Sequence, residues 1–165
     1  MRRLLLMVFL ITPWFVQSQE VKLFGDIVRG DYSGISLTPP ENIEFSQISK
    51  GLFNEALKIG ITFFPDRGGY RERVARFTKE TLHQDGIELK EAEAVWISEL
   101  EGRLMKLDVT AASGHMIWYI LMFGDEDNTY RVTGVFPKEL DAQFEQPIKA
   151  ALLSTKLIST NAAHN

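Results

Sequence analysis

Residues 116–123 read MIWYILMF, and no charged side chain interrupts either alternating face. Met116, Trp118, Ile120 and Met122 fall on one side of an extended chain, while Ile117, Tyr119, Leu121 and Phe123 fall on the other. Side chains of a strand alternate with period two, so a strand lacking a polar face has to be covered on both sides. The run then passes through GDED at 124–127 into TYRVTGVF at 129–136 and stops at Pro137. Asp and Asn tolerate positive φ and cap tight turns, which suits Asp125, Glu126, Asp127 and Asn128 to a hairpin connection. A calcium loop is the alternative, but it gathers about six to eight oxygens over some twelve residues, whereas adjacent side chains in a tight turn diverge. No metal site is expected.

Working outward, residues 87–97 (IELKEAEAVWI) form a strand leading to a turn at 99–102. RLMKLDVT at 103–110 then sets Met105, Leu107 and Val109 on one face and Lys106, Asp108 and Thr110 on the other. Ser113 and Gly114 make the next turn. Connections this short hold no crossover helix, so an antiparallel meander is expected. Earlier, GISLTPP (34–40) reads as a first strand halted at Pro39 and Pro40. ALKIGITFFP (56–65) alternates Leu57, Ile59, Ile61 and Phe63 and halts at Pro65. Between these strands and the meander, Tyr70, Val74, Phe77 and Thr81 fall at helical spacing, and Gly86 is placed to end that helix in a left-handed conformation. A second helix is expected after Pro147, with Ile148, Ala151 and Leu152 as its apolar stripe. The expected class is α+β: an α/β/α sandwich with a central antiparallel sheet of about six strands and helices on both faces.

The chain has 165 residues, 45% hydrophobic and 24% charged, which is one domain with a packed core. It opens MRRLLLMVFLITPWFVQSQ: two arginines, a short apolar run, then small and polar residues suited to cleavage after Ser18. This reads as a secretory signal peptide, with a retained anchor as the alternative. The run is short of the ~20 residues needed to cross hydrocarbon, so no stable membrane anchor is expected after cleavage. Removing 1–18 leaves 16 basic against 22 acidic side chains, a net charge near −6 that disfavours nucleic acid as a bulk partner. With no cysteine in an exported chain, stability rests on the core, and a bacterial envelope or periplasmic location follows. The expected divisions are a signal peptide at 1–18, a lead-in at 19–33, one domain at 34–157 and a flexible tail at 158–165.

Together, YSGISLTPP, the helix before QDGIEL, the pair IWYILMFGDEDNTYRVTGVFP and the closing IKAALLSTKL resemble the PsbP-like family, with its Mog-type and DcrB-like branches. The resemblance covers roughly residues 32–157. It implies a sandwich that binds other macromolecules or assists assembly. These patterns form the fold and carry no catalytic signature, so no set of functional residues transfers to positions here. The chain departs from the plant branch in carrying a bacterial-type signal instead of a lumenal transit peptide.

Candidate sites are few. Arg67, Arg71, Arg73, Arg76 and Lys79 are the one basic concentration in an acidic protein, suited to an acidic partner, most simply another envelope protein. Interleaved Glu72 and Glu80 make a solvated helix face the plainer reading. Trp96, flanked by Ala94 and Ser98, either packs beneath a helix or, with Tyr70, lines a pocket for a small apolar ligand. Ser113 and His115 have the spacing of a serine–histidine pair but lack a nucleophile elbow, and the three histidines stand apart. No cofactor, catalytic residue or zinc site is expected. The functional expectation is a non-enzymatic binding or accessory domain, with a carrier of a small apolar ligand as the alternative.

Overall fold

The apolar run at 116–123 lies inside a seven-stranded antiparallel sheet, paired on both sides. The computed structural model describes residues 19–24, 32–48, 50–111 and 114–159. The expected signal segment, residues 25–31 of the lead-in and residues 160–165 of the expected tail lie outside them. In chain order come β1 (Val21–Phe24), β2 (Tyr32–Leu37), β3 (Ser46–Ile48), β4 (Gly51–Asn54), β5 (Ile59–Arg67), α1 (Tyr70–Val74) and α2 (Lys79–Gln84). They are followed by β6 (Ile87–Ile97), β7 (Leu100–Ala111), β8 (Gly114–Gly124) and β9 (Asn128–Pro137). A 3-10 turn at Lys138–Leu140, α3 (Asp141–Leu153) and β10 (Lys156–Ser159) close the chain.

The large sheet runs β3-β4-β5-β9-β8-β7-β6, and a smaller sheet runs β1-β2-β10. The meander β6 to β9 is as expected. The two faces of β8 enter two separate cores. Ile117, Tyr119, Leu121 and Phe123 pack with Phe144, Ile148 and Leu152 of α3 and with Leu23, Ile35 and Leu37 of the small sheet. Ile120 and Met122 join Met105, Leu107 and Val109 beneath Tyr70 and Leu82 of α1 and α2. Gly134 is what lets α3 sit on the sheet, since a Cβ there would meet the Ile148 side chain at 2.4 Å.

The architecture differs from the expected sandwich in being predominantly β. One face is shared between a single 13-residue helix and a second sheet, and the other carries only helices of 5 and 6 residues. The expected helix over 70–83 breaks because Thr78 is extended (φ −97°, ψ 162°) and caps α2, its side chain accepting from the Thr81 amide in a reciprocal capping box. The Thr81 hydroxyl also donates to the Arg76 carbonyl at 2.6 Å, which fastens the end of the first turn to the start of the next.

Two prolines fall where the sequence placed element ends. β5 runs through Pro65 to Arg67. The Phe63 amide donates to the Lys50 carbonyl, so the odd residues of β5 turn their nitrogens toward β4, and Pro65 lies beyond the last β4 pairing. Its missing donor therefore costs no ladder bond. Pro147 lies inside α3. Phe144, Ile148, Ala151 and Leu152 at helical spacing are all buried, and that packing outweighs the one lost backbone bond. The expected tail also differs: Ile158 and Ser159 belong to β10, which pairs with β2. Leu57, expected inside, sits in the turn before β5 at 37% exposure.

Leu121→Ala should cost about 2–5 kcal/mol in urea unfolding because Leu121 is fully buried. Leu57→Ala should stay within about 0.5 kcal/mol.

Candidate functional site

GDED is a structural clasp as well as a bend. The Asp125 carboxylate accepts from the Asp127 and Asn128 amides at 2.8 and 2.7 Å, closing the turn. The same turn grips the loop before α1: the Gly68 amide donates to the Asp127 carbonyl at 3.0 Å, and the Tyr70 amide donates to the Asp125 carbonyl at 2.8 Å. The buried Thr129 hydroxyl donates to the Gly68 carbonyl at 2.7 Å. At Gly69 a Cβ would stand 2.6 Å from the Glu126 carbonyl oxygen, and Gly68 takes φ +104°, so the close approach needs both glycines.

Behind this clasp is a cleft of about 440 Å³, lined among others by Tyr70, Arg71, Glu72, Glu101, Asp125 and Glu126. Burial, and next the charge of Glu101, raises the Tyr70 phenol above its ordinary range, so it stays protonated at neutral pH. Four carboxylates and a guanidinium stand around one phenol in a cleft of mixed polar and apolar lining, an arrangement richer in charge than the pocket expected for a small apolar ligand. Trp96 does not line it. Trp96 pairs in register with Glu101, so both project from the α1 side of the sheet, but α2 reaches β6 only near Ile87 and Leu89. The indole is left 73% exposed, neither core nor pocket.

The basic residues are dispersed by the break between helices. Arg76 pairs with Glu72 at 2.6 Å and Arg71 with Glu101 at 3.3 Å, while Arg73 donates to the Arg67 carbonyl. Arg67 and Lys79 form no ion pair among the described residues. His115 lies exposed, its Nδ1 3.3 Å from the Thr110 hydroxyl, whereas Ser113 lies outside the described residues. No group of three His, Cys, Asp or Glu among the described residues is placed to hold a metal.

A polar cluster absent from the sequence reading lies on the α3 face. Lys106, 8% exposed, bonds Asp141 at 2.9 Å and Glu145 at 3.2 Å, and the Tyr119 hydroxyl donates to Glu145 at 3.0 Å. Burial alone would lower the Lys106 pKa, but the two carboxylates together raise it, so the ammonium is held charged. The Tyr119 hydrogen bond, then Lys106, lowers Glu145; a hydrogen bond from Lys138 lowers Asp108. These pairs pin the 3-10 turn and α3 to β7 and β8. The signal was available in the i,i+4 spacing of Asp141 and Glu145, but it is visible only if the helix begins at Asp141 instead of Pro147.

No family model matches the chain, and no curated protein matches it. Solved structures do. LpqN, involved in cell envelope biogenesis of Mycobacterium tuberculosis, superposes with a TM-score of 0.60 at 10% identity, covering 85% of this chain and 91% of that one. A Bacteroides thetaiotaomicron protein gives 0.50 at 10% identity over 77% of this chain and 46% of its own. Cyanobacterial PsbP from Synechocystis gives 0.43 at 9% identity over 84% and 81%. The fold defines the class, a mainly antiparallel sheet domain of the kind LpqN has.

Gly69→Ala should cost about 1–3 kcal/mol, since the carbonyl it meets belongs to backbone held by the clasp. Lys106→Ala should cost about 2 kcal/mol, less than a fully buried pair because Asp141 and Glu145 are each 30% exposed. The folded-state pKa values of Glu145 and Asp108 lie below their unfolded ones. Their stabilisation is therefore complete above about pH 5 and is lost as pH falls through and below the carboxylate range. Between neutral pH and about pH 4, thermal melts of Glu145→Gln should shift less than those of the parent.

Proposed function

We propose that this chain is an exported, non-enzymatic accessory domain of a bacterial envelope, a member of the PsbP-like, Mog-type and DcrB-like group, that works by binding another envelope protein. Export is supported by the arginine-led apolar start at 1–18, with its small and polar residues before Gln19. An envelope setting is supported by the fold shared with LpqN. No helix among the described residues is long and apolar enough to cross a membrane.

The observation that carries the binding role is the exposed rim of α1 and α2. Arg67, at the end of β5 just before α1, and Lys79, at the start of α2, are exposed with charges unspent on any ion pair among the described residues, in a chain whose remaining charge is strongly acidic. Such a rim fits an acidic segment of a partner, attracted most strongly at low salt. The carrier alternative has no comparable support, because the cleft at Tyr70 is walled by carboxylates.

The test is crosslinking in the native envelope with identification of the captured neighbours. A specific neighbour should be recovered, and Arg67→Glu with Lys79→Glu should lower its capture about tenfold at low salt without changing the melting curve. Recovery of no reproducible neighbour, or capture indifferent to the double reversal, rejects the proposal.

A further inference from the structure

β6 ends the seven-stranded sheet, and its outer edge is unpaired among the described residues. Native edges are usually blunted by bulges, lysines or prolines. Here those devices gather at one end: the register shift lies between Leu89 and Glu91, beside Lys90. From Glu91 to Ile97 the pairing with β7 is regular. Residues 92–96 contain no lysine or proline and one charge, Glu93, which Lys149 of α3 engages at 2.8 Å. Ala92, Glu93, Ala94 and Trp96 are all exposed.

The direction of the free backbone groups follows from the adjoining turn. Ser98 and Glu99 have φ of 48° and 70° between the paired residues Ile97 and Leu100, which is a two-residue hairpin of the I′ type. In such a hairpin the flanking pair exchanges its hydrogen bonds, so Ile97, Val95 and Glu93 face β7. Ala92, Ala94 and Trp96 therefore turn their amides and carbonyls outward.

We propose that this edge is a dimerisation strand: two copies pair antiparallel through residues 92–96 about a two-fold axis at Ala94, joining their large sheets into one. Charge selects this register among those that keep the faces matched. An axis at Glu93 sets Glu93 against itself, one at Ala92 sets Glu91 against Glu93, and one at Val95 sets Glu91 against Glu99. With the axis at Ala94, Glu91 meets Ile97 and Glu93 meets Val95, while Lys90 falls opposite the turn holding Ser98 and Glu99. All three outward residues then find hydrogen-bonding partners, Ala94 with Ala94 and Ala92 with Trp96. Shape agrees, because the exposed indole of each copy lies over the single methyl of Ala92 in the other. This inference is independent of the partner proposed for the α1 and α2 rim.

Because the chain lacks cysteine, single-cysteine variants report the register directly. Across the axis the two Ala94 Cα atoms would be about 5.5 Å apart, whereas the two Ala92 Cα atoms, offset by four residues, would be more than ~13 Å apart. A short bifunctional thiol reagent should join Ala94→Cys at least about tenfold faster than Ala92→Cys. Sedimentation should show a dimer at about 100 µM, weakened about tenfold by Trp96→Ala. Ala94→Pro, which removes an outward donor and leaves the β7 ladder intact, should yield a folded monomer. A parent that stays monomeric at that concentration overturns the proposal and leaves the edge to a strand of a different protein. Equal crosslinking of the two cysteine variants overturns it as well, and so does a dimer that survives Ala94→Pro.

Discussion

The structure depends on the burial of β8 from both sides. From Tyr119 to Phe123 every side chain is buried, and the strand enters two cores that share no residue. A sheet whose central strand is apolar on both faces cannot leave one face to water, as many antiparallel sheets do. The chain meets this demand unequally. One face receives α3 and the whole small sheet, enough to enclose Ile59, Ile61 and Phe63 of β5 with the centre of β8 and β9. The other receives two short helices that reach from β9 to the near end of β6 and no further. The α1 side of Phe53, Trp96 and the Phe64 and Arg131 pair lies outside that shelter.

Unequal cover also accounts for the charges inside. Lys106 and Asp108 lie on the face of β7 that turns toward the end of α3, and each is 8% exposed. Removing such groups from water is costly unless they are paired. Their partners come from the single segment after β9: Lys138 for Asp108, and Asp141 with Glu145 for Lys106. These pairs add less to stability than their number suggests, since desolvation offsets most of the attraction. What they supply is placement. They set where α3 starts along β7, and with it where Phe144, Ile148 and Leu152 meet the sheet.

The meander was legible because its signals were local: period-two alternation in 103–110 and 129–136, with connections too short for anything but hairpins. The second sheet was not. β1 and β10 are four residues each, VKLF and KLIS, too short for a period to show, and they exist because β2 stands between them with partners from opposite ends of the chain. Pro65 and Pro147 misled for a common reason. A proline marks an end only where its missing amide is needed, and tertiary context removed that need at Pro65 and outweighed it at Pro147. Among the basic residues, the Arg76–Glu72 pair was visible in its i,i+4 spacing, but the engagement of Arg71 by Glu101 of β7 depends on tertiary packing that no local pattern shows. Trp96 was read from its small neighbours as core or pocket. On its own face of β6 the adjacent side chains are the small ones of Ala94 and Ala92, and α2 reaches only Ile87 and Leu89, so the indole stands free.

A fold shared with LpqN at 10% identity is kept by pattern more than by particular side chains, so the residues that distinguish one such domain from another should be those the pattern does not require. Burial explains Tyr70, Leu121 and Phe123, and the clasp explains Gly69, Asp125 and Thr129. Neither explains an indole at 73% exposure, or the exposed Arg67 and Lys79, which form no ion pair among the described residues. Keeping a tryptophan in water forgoes the stabilisation its burial would give, and the fold has no use for it there. Its position at the end of a regular, unblunted edge is where association with another strand would recover that stabilisation. Arg67 ends β5 and Lys79 begins α2, whereas residues 92–96 lie on β6 beyond the stretch that α2 covers, so the cations and the strand edge can be varied separately.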